Sequence, residues 1–246
     1  MIGYPDKKHM ATVTSILTEL KAKGTEKTRK TYVRHGMPPD RVFGVSVADL
    51  KIIAKIIKGQ QGLACELYDS GMMEAMYLAG LVADGSLMTR KQLNTWAAGA
   101  TTSMVAAYTV PWVAIENPAA RELAMLWIAS KKEHIAEVGW CTYSGLAATL
   151  PDDALDLAGM EGLLRTVVAQ VHAAPNRVRS AMNNFVIAVG GYVQPLLQEA
   201  KAAALEMGDV FVDVGDTACK VPVAAAYIAK MEAAGKVGKK RKTIRC

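Results

Sequence analysis

The stretch SVADLKIIAKIIKG, residues 46–59, decides the class of fold. Ser46 is a preferred N-cap residue, Asp49 follows three positions later as in a capping box, and Gly59 is a preferred helix stop. Between these signals the apolar side chains recur at intervals of three and four residues, at Leu50, Ile53, Ala54 and Ile57. Because this period places them on one face of an α-helix, the stretch predicts an amphipathic helix that buries that face.

The same pattern of N-cap residues, apolar residues at helical spacing and terminal glycines recurs along the rest of the chain. It predicts further helices over residues 8–23, 25–35, 61–70, 72–84, 89–98, 118–130, 132–148, 152–173, 176–190, 194–207 and 222–234. Only VFVDV, residues 210–214, alternates in the manner of a strand. One strand has no partner with which to form a sheet, so we expect an extended connector there.

Short helices with brief connections predict an all-α protein. Successive helix pairs recur about every 35 to 45 residues, which is the period of HEAT-like repeats. Such pairs stack into a curved α-α superhelix, a solenoid whose concave groove suits a polymer. We therefore expect a single HEAT-like α-solenoid domain over residues 1–246, with a basic C-terminal tail at residues 236–246. A compact helical bundle would use the same helices with different crossings.

Positive charge is concentrated towards the two ends of the chain. The protein has 29 Lys and Arg against 23 Asp and Glu, a formal net charge of +6. Six of the basic residues fall in the tail: Lys236, Lys239, Lys240, Arg241, Lys242 and Arg245. The segment from Lys21 to Lys58 is also basic, whereas residues 61–170 are acidic. One-signed segments favour an anionic polymer as partner, and a solvated end that keeps the protein soluble is the other interpretation.

Composition argues against several classes of protein. The four cysteines are scattered without a CxxC pair or a matching His spacing, so we expect no zinc site and no disulfide framework. The N-terminal MIGYPDKKHM has no apolar signal-peptide core, and the longest apolar run, roughly Met104 to Ile115, is too short to span a bilayer. We expect a cytoplasmic monomer that makes no membrane contact.

All four tryptophans lie in one part of the chain, from Trp96 to Trp140. Trp96 stands near the end of a predicted helix beside small residues, and Trp140 precedes Tyr143 on one helix face. These rings either pack in the core or form platforms on which a nucleic-acid base stacks. Sequence alone leaves both interpretations open.

The helix that begins NRVRSAMNNF after Pro175 brings polar groups to its N-terminus. Asn176, Arg177 and Arg179 would surround free backbone N–H groups, which are a favourable site for phosphate. Further along, Asn183 and Asn184 are adjacent amides in an apolar helix. Each amide either bridges to a neighbouring helix or faces a ligand.

Several segments resemble the DNA alkylation repair family, the HEAT-like repeat alkylpurine DNA glycosylases of bacteria. The likeness covers roughly Thr25 to Ala234 and begins with NTW, followed by a small-residue helix and then LWIASKKEHIAEVGW. Other segments are similar to a less characterised branch of that family: MEAMYLAGLVADG, GWCTYSGLA, APNRVRSAMNNFVIAVGGYV, DVGDTACKVP and GKKRKTIRC.

The resemblance implies a C-shaped solenoid that holds double-stranded DNA on a basic concave face. It also implies a hydrolase, a DNA N-glycosylase that excises N3- or N7-alkylated purines without a cofactor. Such an enzyme needs a carboxylate to stabilise the developing sugar cation and to position water. Together with the aromatic, helix-end, amide and charge patterns above, it makes the candidate DNA contacts Trp96, Trp140, Tyr143, Asn176, Arg177, Arg179, Asn184, Lys239, Lys240, Arg241 and Lys242.

The family's catalytic residues carry over poorly. The family places its essential aspartate four residues after a tryptophan, and here Trp96 is followed at that position by Ala100. A family arginine aligns near Glu137, and a second family tryptophan aligns near Asn184 or Phe185. The chain is therefore either a binder on a glycosylase scaffold or an enzyme whose site has been rebuilt.

Two carboxylates in glycine-flanked turns, Asp84 and Asp216, are the candidates for a rebuilt site. A helix-capping role is the alternative for each. A second possible function for the whole protein is a non-catalytic scaffold for protein interactions, a common use of helical solenoids.

Overall fold

A computed structural model describes residues 11–246, and within them the protein contains thirteen α-helices and no strand. The helices are α1 (Val13–Lys23), α2 (Glu26–Arg34), α3 (Val47–Ile56), α4 (Gln61–Asp69), α5 (Met73–Val82), α6 (Arg90–Gly99), α7 (Val110–Ala114), α8 (Ala120–Ile128), α9 (Glu133–Thr149), α10 (Leu157–Gln170), α11 (Asn176–Tyr192), α12 (Leu197–Met207) and α13 (Ala224–Ala233). The prediction of an all-α protein is confirmed. The predicted first helix begins at residue 8, and its residues 8–10 lie outside the described part.

Hydroxyl side chains begin several helices, and the predicted N-cap Ser46 is one of them. The Ser46 hydroxyl accepts a hydrogen bond from the Asp49 backbone N–H at the start of α3. Thr89 and Gln92 form a reciprocal capping box at the start of α6. Because these side chains satisfy N–H groups that have no partner inside the helix, they fix where each helix begins.

The chain divides into two compact units, one that ends at Ala83 and one that runs from Asp84 to Cys246. In the first unit, α5 packs against α3 and α4, and nearly all of its side chains are buried. In the second unit, α9 packs between α8 and α11.

Helices α9 and α11 run side by side in the same direction and form the centre of the second unit. Their first turns are joined by a hydrogen bond between the Arg177 backbone N–H and Glu133. At mid-length the ring of Phe185 meets Trp140 and Tyr143 edge to face, with centroid distances of 5.3 and 6.0 Å. Aromatic contacts of this geometry add to the gain from burial, so this cluster anchors the core.

In two segments the structure can be compared with an unusual sequence pattern: one agrees with the prediction and the other contains helix that the pattern did not predict. Residues 210–214 form no strand, as expected for a connector. The apolar run at residues 104–115, where the sequence pattern predicts no helix, contains a π-helical turn, Val105–Thr109, which continues directly into α7. Pro111 follows this turn directly, where the Val110 N–H donates to the Val105 carbonyl five residues back, so the π-helical turn replaces the α-helical hydrogen-bond pattern that a proline would interrupt.

Candidate nucleic-acid interface

The basic end of the chain is held against the second unit. We call residues 238–246 the C-terminal strap. The Gly238 N–H donates to the Gly191 carbonyl at 3.1 Å, and the Arg241 N–H donates to the Ala148 carbonyl at 2.8 Å. Since these two carbonyls lie in the last turns of α11 and α9, the strap crosses the C-terminal ends of both central helices.

Two strap cations are anchors. The Lys240 ammonium donates to the Ala147 carbonyl at 2.9 Å and pairs with Asp152 at 2.8 Å. Near the end of the strap, the Arg245 guanidinium pairs with Glu116 at 2.6 Å. A cation at a helix C-terminus is favoured by the helix dipole, so Lys240 stabilises the end of α9 as well as the strap.

An apolar contact fastens the strap between these two anchors. A methyl group built on Gly145 of α9 would lie 2.7 Å from Ile244 of the strap and 2.9 Å from Ile115. Ile244 therefore occupies space that only a glycine leaves free on this face of α9.

Three other strap cations, Lys239, Arg241 and Lys242, are exposed and form no salt bridge within residues 11–246. Their backbone is already ordered by the bonds of Gly238 and Arg241. Cations presented on a fixed backbone lose less entropy when they bind phosphate than cations on a free tail.

The predicted phosphate site at the start of α11 is occupied by the protein's own groups. The Arg177 backbone N–H donates to the Glu133 carboxylate at 2.8 Å. The Asn176 amide exchanges two hydrogen bonds with the backbone of Asp213, at 2.8 and 2.7 Å. These contacts join α11 to α9 and to the connector that follows α12. The polar groups at the start of α11 therefore stabilise the fold, and their hydrogen bonds are already used inside the protein.

Both arginines of this helix end also have internal partners. The Arg177 guanidinium donates to the Thr101 carbonyl at 3.1 Å, and the Arg179 guanidinium donates to Asn176 at 3.3 Å. Arg179 also lies over the ring of Phe211, 5.9 Å from its centroid. Neither guanidinium is presented to solvent as freely as the three exposed strap cations.

The predicted aromatic platforms lie in the core. Trp96 and Trp140 are each 2% exposed, and Tyr143 is likewise buried. Of the two interpretations, core packing therefore applies to these three rings. The exposed aromatic side chains of the second unit include Tyr108 on the π-helical turn and Tyr227 on α13, which the sequence pattern did not single out.

The two adjacent amides of α11 have different surroundings. Asn183 is buried and donates to the Pro222 carbonyl at 2.9 Å, so it bridges to the segment before α13. Asn184 is exposed. Of the two interpretations, the bridge applies to Asn183, and Asn184 stays a predicted ligand contact.

Glu137 is a buried carboxylate close to this helix end. Its Oε2 atom lies 3.9 Å from the Arg177 guanidinium and has no hydrogen-bond partner within the described residues. Burial raises the pKa of Glu137 to about 7, although Arg177 and a hydrogen bond with Ser103 act in the opposite direction. The group is therefore close to half-protonated near neutral pH.

Comparison with known proteins identifies the family. Residues 16–204 match the pattern of the DNA alkylation repair enzyme family. The chain belongs to that family.

A solved structure shares the fold of this DNA alkylation repair family member over nearly its whole length. It comes from "a new family of proteins related to the HEAT-like repeat DNA glycosylases with affinity for branched DNA structures". The two chains are 36% identical, the match covers 96% of this chain and 100% of the other, and the TM-score is 0.88. The predictions of the family and of a HEAT-like repeat fold are confirmed.

Two bacterial relatives have similar sequences. The uncharacterized proteins Lin0241 of Listeria innocua and Lmo0209 of Listeria monocytogenes are each 31% identical to this family member over 226 residues. Each match covers 90% of this chain and 97% of the relative.

The family member lacks a carboxylate where its resemblance to the glycosylases would require one. Ala100, four residues after Trp96, is fully buried. Asp84 caps the 3-10 turn Gly85–Leu87, where its carboxylate accepts hydrogen bonds from the side chain and the backbone of Ser86. These bonds lower the pKa of Asp84. Asp216 is exposed in the bend that follows Gly215.

Within residues 11–246 no group of His, Cys, Asp and Glu has the arrangement of a metal site. The helices in the same part of the chain are also too short or too polar to cross a membrane.

Proposed function

We propose that this protein binds branched DNA as a monomer, and that the exposed strap cations contact the phosphate backbone. The observation that carries the proposal is the ordered presentation of Lys239, Arg241 and Lys242 beside the ends of α9 and α11. The affinity for branched DNA that is stated for the solved relative supports the choice of ligand.

Phosphate binding explains why these cations lack internal partners. Lys240 and Arg245 are committed to Asp152 and Glu116 and hold the strap in place. The three exposed cations can then neutralise phosphates and release counterions, which makes binding depend on salt.

The direct test replaces the three exposed strap cations with glutamine, K239Q/R241Q/K242Q. The control K131Q/K132Q/K220Q removes the same charge from exposed lysines outside the strap, two of which directly precede α9 at the end opposite the strap. Fluorescence anisotropy with a labelled four-way junction should show a salt slope that is lower by about 2 to 3 for the strap variant.

An equal loss of affinity in the strap variant and the control would mean that only the net charge matters, and the strap would then not be the contact. Light scattering of the complex measures its stoichiometry and would show a monomer bound to one junction.

We further propose that binding occurs without base excision, because Ala100 replaces the carboxylate that stabilises the sugar cation. Loss of one such electrostatic stabiliser lowers a rate by about 10²- to 10³-fold. A duplex with a single N7-methylguanine should therefore release its base at least about 10²-fold more slowly than with a glycosylase that carries this carboxylate. Rapid release would show that a rebuilt site is active, and D84N and D216N would then identify its carboxylate.

A further inference from the structure

Helix α3 of the first unit exposes an apolar pair that packing in that unit does not explain. Leu50 and Ile53 face the core and are fully buried. On the opposite face, Ile52 is 54% exposed and Ile56 is 67% exposed. The two side chains are four residues apart and therefore lie one above the other on the helix surface.

Three lysines lie along one side of this apolar pair. Lys51, Lys55 and Lys58 are exposed and form no salt bridge within the described residues. The acidic residue of this helix, Asp49, is engaged by the hydroxyl of the N-cap Ser46 at 2.5 Å. The α3 face, defined here as Lys51, Ile52, Lys55, Ile56 and Lys58, therefore combines apolar surface with a net positive charge, since three lysines outnumber Asp49.

This combination selects the chemistry of the partner. Three unpaired cations favour a polyanion, and two exposed isoleucines favour a partner that also offers flat apolar surface. Nucleic acid has both features, because its phosphates surround the apolar faces of its base pairs. Isoleucine is one of the side chains that proteins insert between base steps.

We propose that the α3 face binds the branch point of DNA, with Ile52 and Ile56 against the exposed faces of base pairs and the lysines on the flanking phosphates. This inference rests on the proposed function and adds the element that would distinguish a branch from a linear duplex. In a linear duplex every internal base pair is stacked on both sides, so an apolar wedge must first unstack a step. Where helices part, stacking is already interrupted and that cost is lower.

The test compares the variant I52S/I56S with the wild-type chain. The matched control is L205S, since Leu205 on α12 is 73% exposed but stands next to the exposed acidic residue Glu206. Each variant is titrated into a four-way junction and into a linear duplex of the same sequence, and thermal melts establish that it folds.

We expect I52S/I56S to lose about tenfold in affinity for the junction and less than about twofold for the linear duplex, because only the junction offers open base-pair faces. L205S should match the wild type on both ligands. A 2-aminopurine base at the branch point should be unstacked by the wild-type chain and not by I52S/I56S. K51Q/K55Q should weaken both complexes and lower the salt slope by about 2.

The possible failures are distinguishable. If the wild-type chain binds neither ligand, the proposed function fails and this inference fails with it. If the wild-type chain prefers the junction and I52S/I56S keeps that preference, the inference alone is overturned, and the α3 face would be assigned to a contact with another protein.

Discussion

At the scale of single residues, two buried carboxylates organise the two units in different ways. Glu74 on α5 accepts hydrogen bonds from three consecutive backbone N–H groups, those of Phe43, Gly44 and Val45, at 2.9, 2.6 and 3.2 Å. Glu74 and Glu137 each have one buried oxygen, Oε2, without a hydrogen-bond partner within the described residues. The two differ in that three donors satisfy Oε1 of Glu74, whereas burial raises the pKa of Glu137 and makes its charge costly.

Removing the Glu74 carboxylate should destabilise the first unit. E74A leaves three N–H groups unpaired and a cavity, and we expect a loss of about 3 to 5 kcal/mol in the free energy of unfolding. E74Q keeps an acceptor oxygen and should lose about half as much. Urea unfolding followed by far-UV circular dichroism measures both values. Equal stabilities of E74A and the wild type would contradict this role.

Titration of Glu137 should make stability fall as pH rises. Its native pKa of about 7 lies above the ordinary value of 4.5, so the native state holds a proton that the unfolded chain has released. The stabilisation is complete below about pH 4.5 and is lost as pH rises through about 7. E137Q stays neutral and should gain about 2 kcal/mol relative to the wild type between pH 5.5 and 8.

Urea unfolding followed by tryptophan fluorescence measures the stability of E137Q and of the wild type at both pH values. Trp140 reports on this region because it lies on the same helix as Glu137. The control E206Q, which replaces an exposed carboxylate on α12, should change nothing between the two pH values. A constant difference between E137Q and the wild type would show that Glu137 is ionised throughout.

At the scale of the elements, the strap converts a basic tail into part of the second unit. Its contacts with α9 and α11 join residues about ninety positions apart, as between Lys240 and Ala147. Composition predicted the charge of this segment, but no local pattern could predict partners so distant in the chain. Lys240 is therefore an anchor whose partners the sequence did not reveal.

Enlarging Gly145 should displace the strap from α9. G145V places methyl groups where Ile244 and Ile115 lie, and the strap is the more mobile partner because it lacks regular structure. Amide hydrogen exchange in residues 238–246 should become about tenfold faster. G162V on α10 meets open space and serves as the control. Unchanged exchange in G145V would contradict the packing described for the strap.

Local patterns predicted most helices because caps and stripes are short-range signals. Ser46 is an N-cap in the structure, as predicted, and Thr89, the first residue of the predicted helix 89–98, is the N-cap of α6. The turn at Val105–Thr109 and α7 were missed because a wholly apolar segment has no polar face from which to recognise a helical period. Burial of Trp96 and Trp140 was left open for a related reason, since an aromatic ring suits a core and a binding surface equally well.

At the scale of the whole molecule, family membership and charge together favour a DNA-binding role. The exposed cations of the strap lie in the second unit, and the lysines of the α3 face lie in the first.

The most direct measurement is a competition between a four-way junction and a linear duplex of the same sequence for the wild-type protein, repeated at several salt concentrations. Our account predicts that the junction is bound about tenfold more tightly and that the logarithm of affinity falls linearly with the logarithm of salt concentration. Equal affinity for the two ligands, or binding that does not respond to salt, would contradict it.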